Sequence, residues 1–145
     1  EDAFILSMLF DVKSDMSSAI QNGAFSSACP KAVRRAEEYI NSNLSEPIRI
    51  EDLVAVSGAS ARSIFDGFTR FRDMTPMRYV KFRRLHKVRD LLREADETTM
   101  VSSVAVEWGF NHFGRFAKDY AQAFGESPSE TLRLAKNGHR VSRRN

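Results

Sequence analysis

The chain has 145 residues, a length typical of one globular domain with a short appendage, and its 42% apolar content excludes an intrinsically disordered protein. Its single cysteine, Cys29, excludes an intrachain disulfide, and no apolar run approaches the roughly 18 residues that span a bilayer. Residues 1–29 carry a net charge of −3 and residues 30–145 a net charge of +6. The positive charge of the longer segment suits a polyanionic partner.

The first 29 residues are expected to form a leader helix and a linker. Apolar residues recur at helical spacing over residues 3–21, at Ile5, Leu9, Val12, Met16 and Ile20. Glycine, serine and proline cluster in residues 23–30, which favours a linker. Because the chain does not begin with methionine, we expect it to be a fragment of a longer protein. The apolar stripe of residues 3–21 is expected to pack against the missing N-terminal domain or a second copy. With no disulfide and no signal peptide, the expected location is the cytoplasm.

Every element predicted after the linker is a helix. Pro30 suits the first turn of a helix that ends near residues 44–47. No later segment shows the alternation of a strand. Further helices are predicted at residues 50–57, 61–71, 76–95, 101–108, 112–124 and 128–136. The helical domain thus covers residues 30–136, and the basic tail, residues 137–145, is expected to be disordered and to add salt-dependent affinity for a polyanion.

The helical domain contains one supersecondary unit twice. The pattern I-x-x-L-V-x-x-x-G-A that begins at Ile50 recurs as V-x-x-V-A-x-x-x-G-F, 51 residues later, at Val101. After one inserted residue, I-x-x-x-F-x7-P beginning at Ile64 recurs as F-x-x-x-Y-x7-P, 52 residues later, at Phe116. Two copies are too few for a solenoid, so the pattern indicates one unit used twice.

Each copy is predicted to be a helix-turn-helix. Gly58 and Gly109 stand where a residue in the left-handed conformation would end the first helix. Ser60 suits the N-cap of the next helix, and Ser127 with Glu130 forms a capping box. Two helices joined by such a turn offer the second, or recognition, helix to DNA.

These residues resemble the C-terminal DNA-binding domain of the AraC/XylS family over about residues 30–136. The second copy is the more specific, because A-x-x-x-G-F from Ala105, R-F at Arg115, F-G at Phe124 and S-P at Ser127 follow in the family's order. The resemblance implies an all-α fold of two homeodomain-like helix-turn-helix subdomains joined by a long central helix. It implies a bacterial, sequence-specific transcription regulator, usually an activator, with double-stranded DNA as its partner and RNA polymerase as a candidate one.

The central helix, predicted at residues 76–95, would be about 30 Å long, close to the roughly 34 Å of one turn of B-DNA. The two recognition helices, residues 61–71 and 112–124, could therefore enter adjacent major grooves. Apolar residues along the central helix can hold both units, at Val80, Leu85, Val88, Leu91 and Leu92. Its basic residues are interpreted as a solvated face, at Lys81, Arg83, Arg84, Lys87 and Arg89.

In the first recognition helix, Ile64 and Phe68 are predicted to be buried. The candidate DNA contacts point elsewhere and are Arg62, Ser63, Asp66, Thr69 and Arg70. The resemblance places Arg62 and Asp66 at base-facing positions, where Arg62 suits guanine O6 and N7. Asp66 can accept from cytosine N4, or repel phosphate and position Arg62. Phe65 could touch a thymine methyl, but core packing is favoured for it.

In the second recognition helix the candidate DNA contacts are His112, Gly114, Arg115 and Lys118. The predicted core consists of Trp108, Phe113, Phe116, Tyr120 and Phe124. Gly114 stands at a base-facing position by resemblance, yet it has no side chain for direct readout. His112 could bond a phosphate or serve the helix start. For every candidate a solvated helix face is the alternative.

The sequence leaves two alternatives to DNA binding. Asp66 and Gly114, unpromising at base-facing positions, leave open a helical interaction module that keeps the fold without reading DNA. An enzyme is the weakest interpretation, because the three histidines, His86, His112 and His139, lie on different elements. Since there is neither a metal-ligand spacing nor a phosphate-binding loop, we expect no catalytic residue, no cofactor and no metal.

Overall fold

The computed structural model describes residues 28–142. This range consists of helices and their connections and contains no strand. The helices are α1 (Ala28–Ser42), α2 (Ile50–Ser57), α3 (Ala61–Arg72), α4 (Pro76–Arg93), α5 (Val101–Glu107), α6 (Phe113–Phe124) and α7 (Pro128–Ser142). The predicted all-α fold is confirmed. The predicted leader helix, residues 3–21, lies outside the described residues.

Several helix ends differ from the prediction. α1 begins at Ala28 rather than at Pro30, which is possible because the first-turn N–H groups of a helix have no intrahelical partner for proline to remove. α4 ends at Arg93, and the Asp96 carboxylate then accepts hydrogen bonds from the hydroxyls of Thr98 and Thr99 at 2.7 and 3.0 Å. These hydrogen bonds stabilise a non-helical turn where the helix would otherwise continue. They also lower the pKa of Asp96.

The predicted disorder of the basic tail is wrong for residues 137–142, because α7 continues to Ser142. Two contacts with the segment that follows α4 anchor this extension. The Lys136 ammonium donates to the backbone carbonyls of Glu97 and Thr99, both at 3.1 Å. Arg140 lies 3.5 Å from the Glu97 carboxylate. The helix therefore gains tertiary contacts that a run of basic residues does not reveal.

The described residues divide into a first unit, residues 28–83, and a second unit, residues 84–142, with the boundary inside α4. The first unit packs α1, α2, α3 and the start of α4 around a core of Ala36, Ile40, Leu53, Ile64 and Phe68. Tyr79 meets Phe68 edge to face, with ring centres 5.4 Å apart. These residues recur every three or four positions along their helices, so each helix buries one stripe.

An ion pair joins the end of α3 to the middle of α1 in the first unit. The Arg72 guanidinium, at the end of α3, donates through Nε and Nη2 to the two carboxylate oxygens of Glu37 in α1. The Glu37 side chain is only 12% exposed. This hydrogen bonding raises the pKa of Arg72, and the paired bonds fix α3 against α1.

The second unit has an aromatic core. Phe116, Tyr120 and Phe124 lie on one face of α6 and pack with buried Leu85, Val88, Leu92 and Ala105. The hydroxyls of Tyr120 and Thr131 are 2.7 Å apart, and the Thr131 hydroxyl donates to the Glu126 carboxylate at 2.7 Å. Burial raises the pKa of Tyr120, so this chain of hydrogen bonds satisfies a neutral phenol inside the unit.

The basic residues of α4 form the predicted solvated face only in part: Lys87 is exposed, whereas Lys81, Arg83, Arg84 and Arg89 are half-buried. Arg83 donates to the Asn41 side chain at 2.9 Å in the first unit. In the second unit the Arg89 guanidinium lies 4.5 Å from the centre of the Phe124 ring, and the Lys87 ammonium lies 5.5 Å from that of Trp108. Their aliphatic stems and charges therefore serve packing, as long basic side chains often do.

The two helix-turn-helix turns both use left-handed glycines. Gly58 is the C-cap of α2 with φ of 70°, as predicted. Gly109 has φ of 89° and follows the C-cap residue of α5, Trp108. A Cβ on Gly58 would meet nothing within 4 Å, whereas one on Gly109 would lie 2.9 Å from Nη1 of Arg84. Burial lowers the pKa of that guanidinium, which covers the turn.

Replacing Gly109 by alanine is expected to cost about 1–3 kcal/mol of unfolding free energy, because a side chain is strained at this φ and Arg84 must also move. Gly58→Ala carries only the backbone strain and should cost about 1 kcal/mol. Gly138→Ala, at an open helical position, should instead stabilise the chain by about 0.5–1 kcal/mol. Urea unfolding of the three variants measures these values. Equal losses at Gly58 and Gly109 would show that Arg84 shifts at no cost.

Candidate nucleic-acid interface

The first recognition helix, α3, presents two different faces. Ser60 caps its start, accepting a hydrogen bond from the backbone N–H of Ser63 at 3.1 Å. Ile64, Gly67 and Phe68 form its buried face. All five predicted contact residues are exposed on the rest of its surface: Arg62, Ser63, Asp66, Thr69 and Arg70. The sequence therefore placed these side chains correctly relative to the core.

Arg62 and Asp66 form an ion pair one turn apart on the exposed face of α3. The Arg62 Nε lies 3.9 Å from Oδ2 of Asp66, and the side chains are 92% and 75% exposed. A pair this exposed contributes little to stability. It does hold the guanidinium beside a carboxylate, which is the geometry needed for Asp66 to orient Arg62.

The other exposed residues of α3 have distinct surroundings. The Ser60 hydroxyl donates to Oγ of Ser63 at 2.9 Å, so both the amide and the hydroxyl of Ser63 take part in the helix cap. The Arg70 guanidinium lies 5.9 Å from the centre of the Phe71 ring. Ser63 thus has a structural role that the sequence analysis did not give it.

The second recognition helix, α6, exposes all four predicted contacts, namely His112, Gly114, Arg115 and Lys118. His112 is the N-cap residue, and its carbonyl accepts from the Phe116 N–H at 2.9 Å, but its imidazole makes no capping hydrogen bond. A Cβ on Gly114 would meet nothing within 4 Å, so packing within the chain does not require a glycine there.

Two aromatic residues predicted to be core are exposed instead. Phe65 is 40% exposed and Phe113 is 50% exposed. Phe65 lies at the margin of the buried stripe of α3. Phe113 is the first residue of α6 and reaches the core only at its edge, with its ring centre 6.0 Å from that of Phe116. Trp108, also predicted to be core, is half-buried.

Gln122 is a further candidate, which was not among the predicted contacts. This residue is exposed on α6, one turn after Lys118. A signal was present, because the 52-residue offset of the repeat pairs Gln122 with Arg70. An amide at this position suits the N6 and N7 atoms of adenine.

Two other kinds of feature are absent from residues 28–142. This part of the chain holds no cluster of three histidine, cysteine or carboxylate side chains that could bind a metal ion. None of its helices combines the length and apolar character needed to cross a membrane. The exposed polar face of α3 and that of α6 are the candidate sites in the described residues, one in each unit.

Comparisons with known proteins point the same way. A family model described as a helix-turn-helix domain matches residues 53–134. The probable thc operon regulatory protein of Rhodococcus erythropolis is 42% identical over 107 residues, which are 73% of this chain and 32% of that protein. The XylDLEGF operon transcriptional activator 3 of Pseudomonas putida is 35% identical over 122 residues, 83% of this chain and 37% of that protein. The chain thus spans about a third of the length of these relatives.

A solved structure is also similar. The crystal structure of a probable AraC family transcriptional regulator from Rhodopseudomonas palustris aligns with a TM-score of 0.69 and 46% sequence identity. The alignment covers 72% of this chain and 97% of that one.

Proposed function

Since the chain belongs to the AraC/XylS family of helix-turn-helix transcription regulators, we propose that it binds specific duplex DNA sequences through α3 and α6 and activates transcription. The family is one of regulators, not of enzymes. The observation that carries the proposal is the division of each recognition helix into a buried stripe and an exposed polar face. Such a helix can enter a major groove without disturbing its own core.

In this proposal Arg62 donates to guanine O6 and N7, and Asp66 orients it or accepts from cytosine N4. Thr69 and Arg70 extend the same face toward the flanking base and the phosphates. Ser63 has only an indirect role in DNA binding, because it helps to cap the start of α3. The exposure of these residues and the ion pair between Arg62 and Asp66 support the assignment.

On α6, Arg115 and Lys118 supply base or phosphate contacts, and Gln122 suits adenine. Since its imidazole does not cap the helix, we assign His112 to a phosphate oxygen. Gly114 leaves the backbone of the first turn uncovered, so it permits close approach to DNA rather than direct readout.

We further propose that the two helices read half-sites in adjacent major grooves. α4 has 18 residues and is therefore about 27 Å long, close to one turn of B-DNA. RNA polymerase would then be a partner of the activator, and the cytoplasm its location. Self-association, through residues 3–21 or through an N-terminal domain, is part of the same proposal.

Selection of sites from a random duplex pool tests the proposal. We expect an enriched site with two half-sites about 10 base pairs apart. Its affinity should fall linearly with the logarithm of salt concentration, with a slope of roughly −0.9 for each phosphate neutralised, as measured by fluorescence anisotropy. A pool that shows no enrichment would instead favour a helical interaction module.

A further inference from the structure

Phe65 occupies an unusual place on the first recognition helix. It is 40% exposed, although burying a phenylalanine is among the larger gains available to a folding chain. The buried stripe of α3 runs through Ile64, Gly67 and Phe68, and Phe65 lies at its border with the polar face. By helical spacing its surface neighbours are Arg62, three residues before, and Thr69, four residues after.

The surroundings of Phe65 limit what could cover it. The exposed face beside the ring carries the Arg62–Asp66 ion pair and Arg70, whose charges oppose an apolar protein surface or a lipid interior. The major groove of DNA can accommodate both the charged side chains and the exposed ring. It offers acceptors to arginine, and its one apolar group is the 5-methyl of thymine.

We propose that Phe65 reads a thymine 5-methyl group next to the base contacted by Arg62. This inference rests on the DNA binding proposed above and adds a base identity to it. The 52-residue offset pairs Phe65 with Ala117, so the second recognition helix has no counterpart. The contact therefore belongs only to the half-site bound by α3.

The test uses the 145-residue chain and its enriched duplex, with each thymine replaced in turn by deoxyuridine, which removes only the methyl group. Wild-type protein should lose about fourfold in affinity at one thymine of the α3 half-site, the fold-change expected for burying one methyl-sized group. Phe65→Ala should bind the unmodified duplex more weakly and should no longer respond to deoxyuridine there. Thermal unfolding verifies that the variant is folded.

Phe113→Ala is the matched control, since it removes a ring of similar exposure from the first residue of α6, where the ring meets the edge of the core. It should keep the full response to deoxyuridine. Wild-type binding that ignores every deoxyuridine, or a Phe65→Ala variant that still responds, overturns the thymine contact while leaving DNA binding intact. A pool without any enriched site overturns both proposals.

Discussion

Replacing Phe68 by alanine is expected to lower the free energy of unfolding by about 3–5 kcal/mol, the usual cost of emptying a buried aromatic site. Phe68 is fully buried and meets Tyr79 edge to face. Removal of its ring therefore leaves a cavity that the surrounding residues cannot completely fill. Since the free energy of unfolding of a native protein is only about 5–15 kcal/mol, this change removes a large fraction of the stability. Urea unfolding followed by circular dichroism measures the loss.

Phe65→Ala provides the control on the same helix. It deletes the same atoms from a side chain that is 40% exposed, so the expected loss is smaller, about 1 kcal/mol. Similar losses at the two positions would contradict the assignment of Phe65 to the exposed face and, with it, a premise of the thymine contact.

Replacing Arg62 by alanine is expected to weaken binding to the enriched DNA site by roughly 5- to 150-fold, the range for a bidentate contact to guanine. Binding to unrelated DNA should change little, and the preference for guanine at one position should disappear. The reason is that the exposed guanidinium contributes almost nothing to folding, so the effect falls on recognition. Anisotropy titrations against single-base variants of the site measure both quantities.

Arg133→Ala is a matched control for the loss of charge. Arg133 is exposed on α7 and lies 4.0 Å from Glu130 in a similar helical ion pair. It should leave the base preference unchanged. If Arg62→Ala weakened every DNA sequence equally, Arg62 would be a phosphate contact and the assignment to guanine would be wrong.

The helices were predictable because their signals are local. The apolar spacing in α3 and α6, the Ser60 cap and the glycines of the two turns all lie within a few residues of the features they determine. The extension of α7 was not predictable for the opposite reason. Lys136 and Arg140 meet partners nearly 40 residues away or more in the chain, and a charged run carries no trace of them.

The candidate site was predictable in outline but not at its borders. Arg62 and Lys118 lie opposite the buried stripes, where helical periodicity is unambiguous. Phe65 and Phe113 lie at the margins, where a fraction of a turn or one residue at a helix end decides between burial and exposure. The basic residues of α4 depend on distant partners, as Arg83 does on Asn41, 42 residues earlier.

The separation of the cap, the buried stripe and the polar face on α3 has a practical consequence for redesign. Positions 62, 65, 66 and 69 can be randomised together in a library aimed at new DNA targets, because none of them belongs to the buried core of the first unit. Ser63 should be held fixed, since its hydroxyl accepts a hydrogen bond from the capping Ser60 and a replacement would remove that contact at the start of the helix. The DNA specificity could thus be altered at a small cost in folding stability, most of it at position 65.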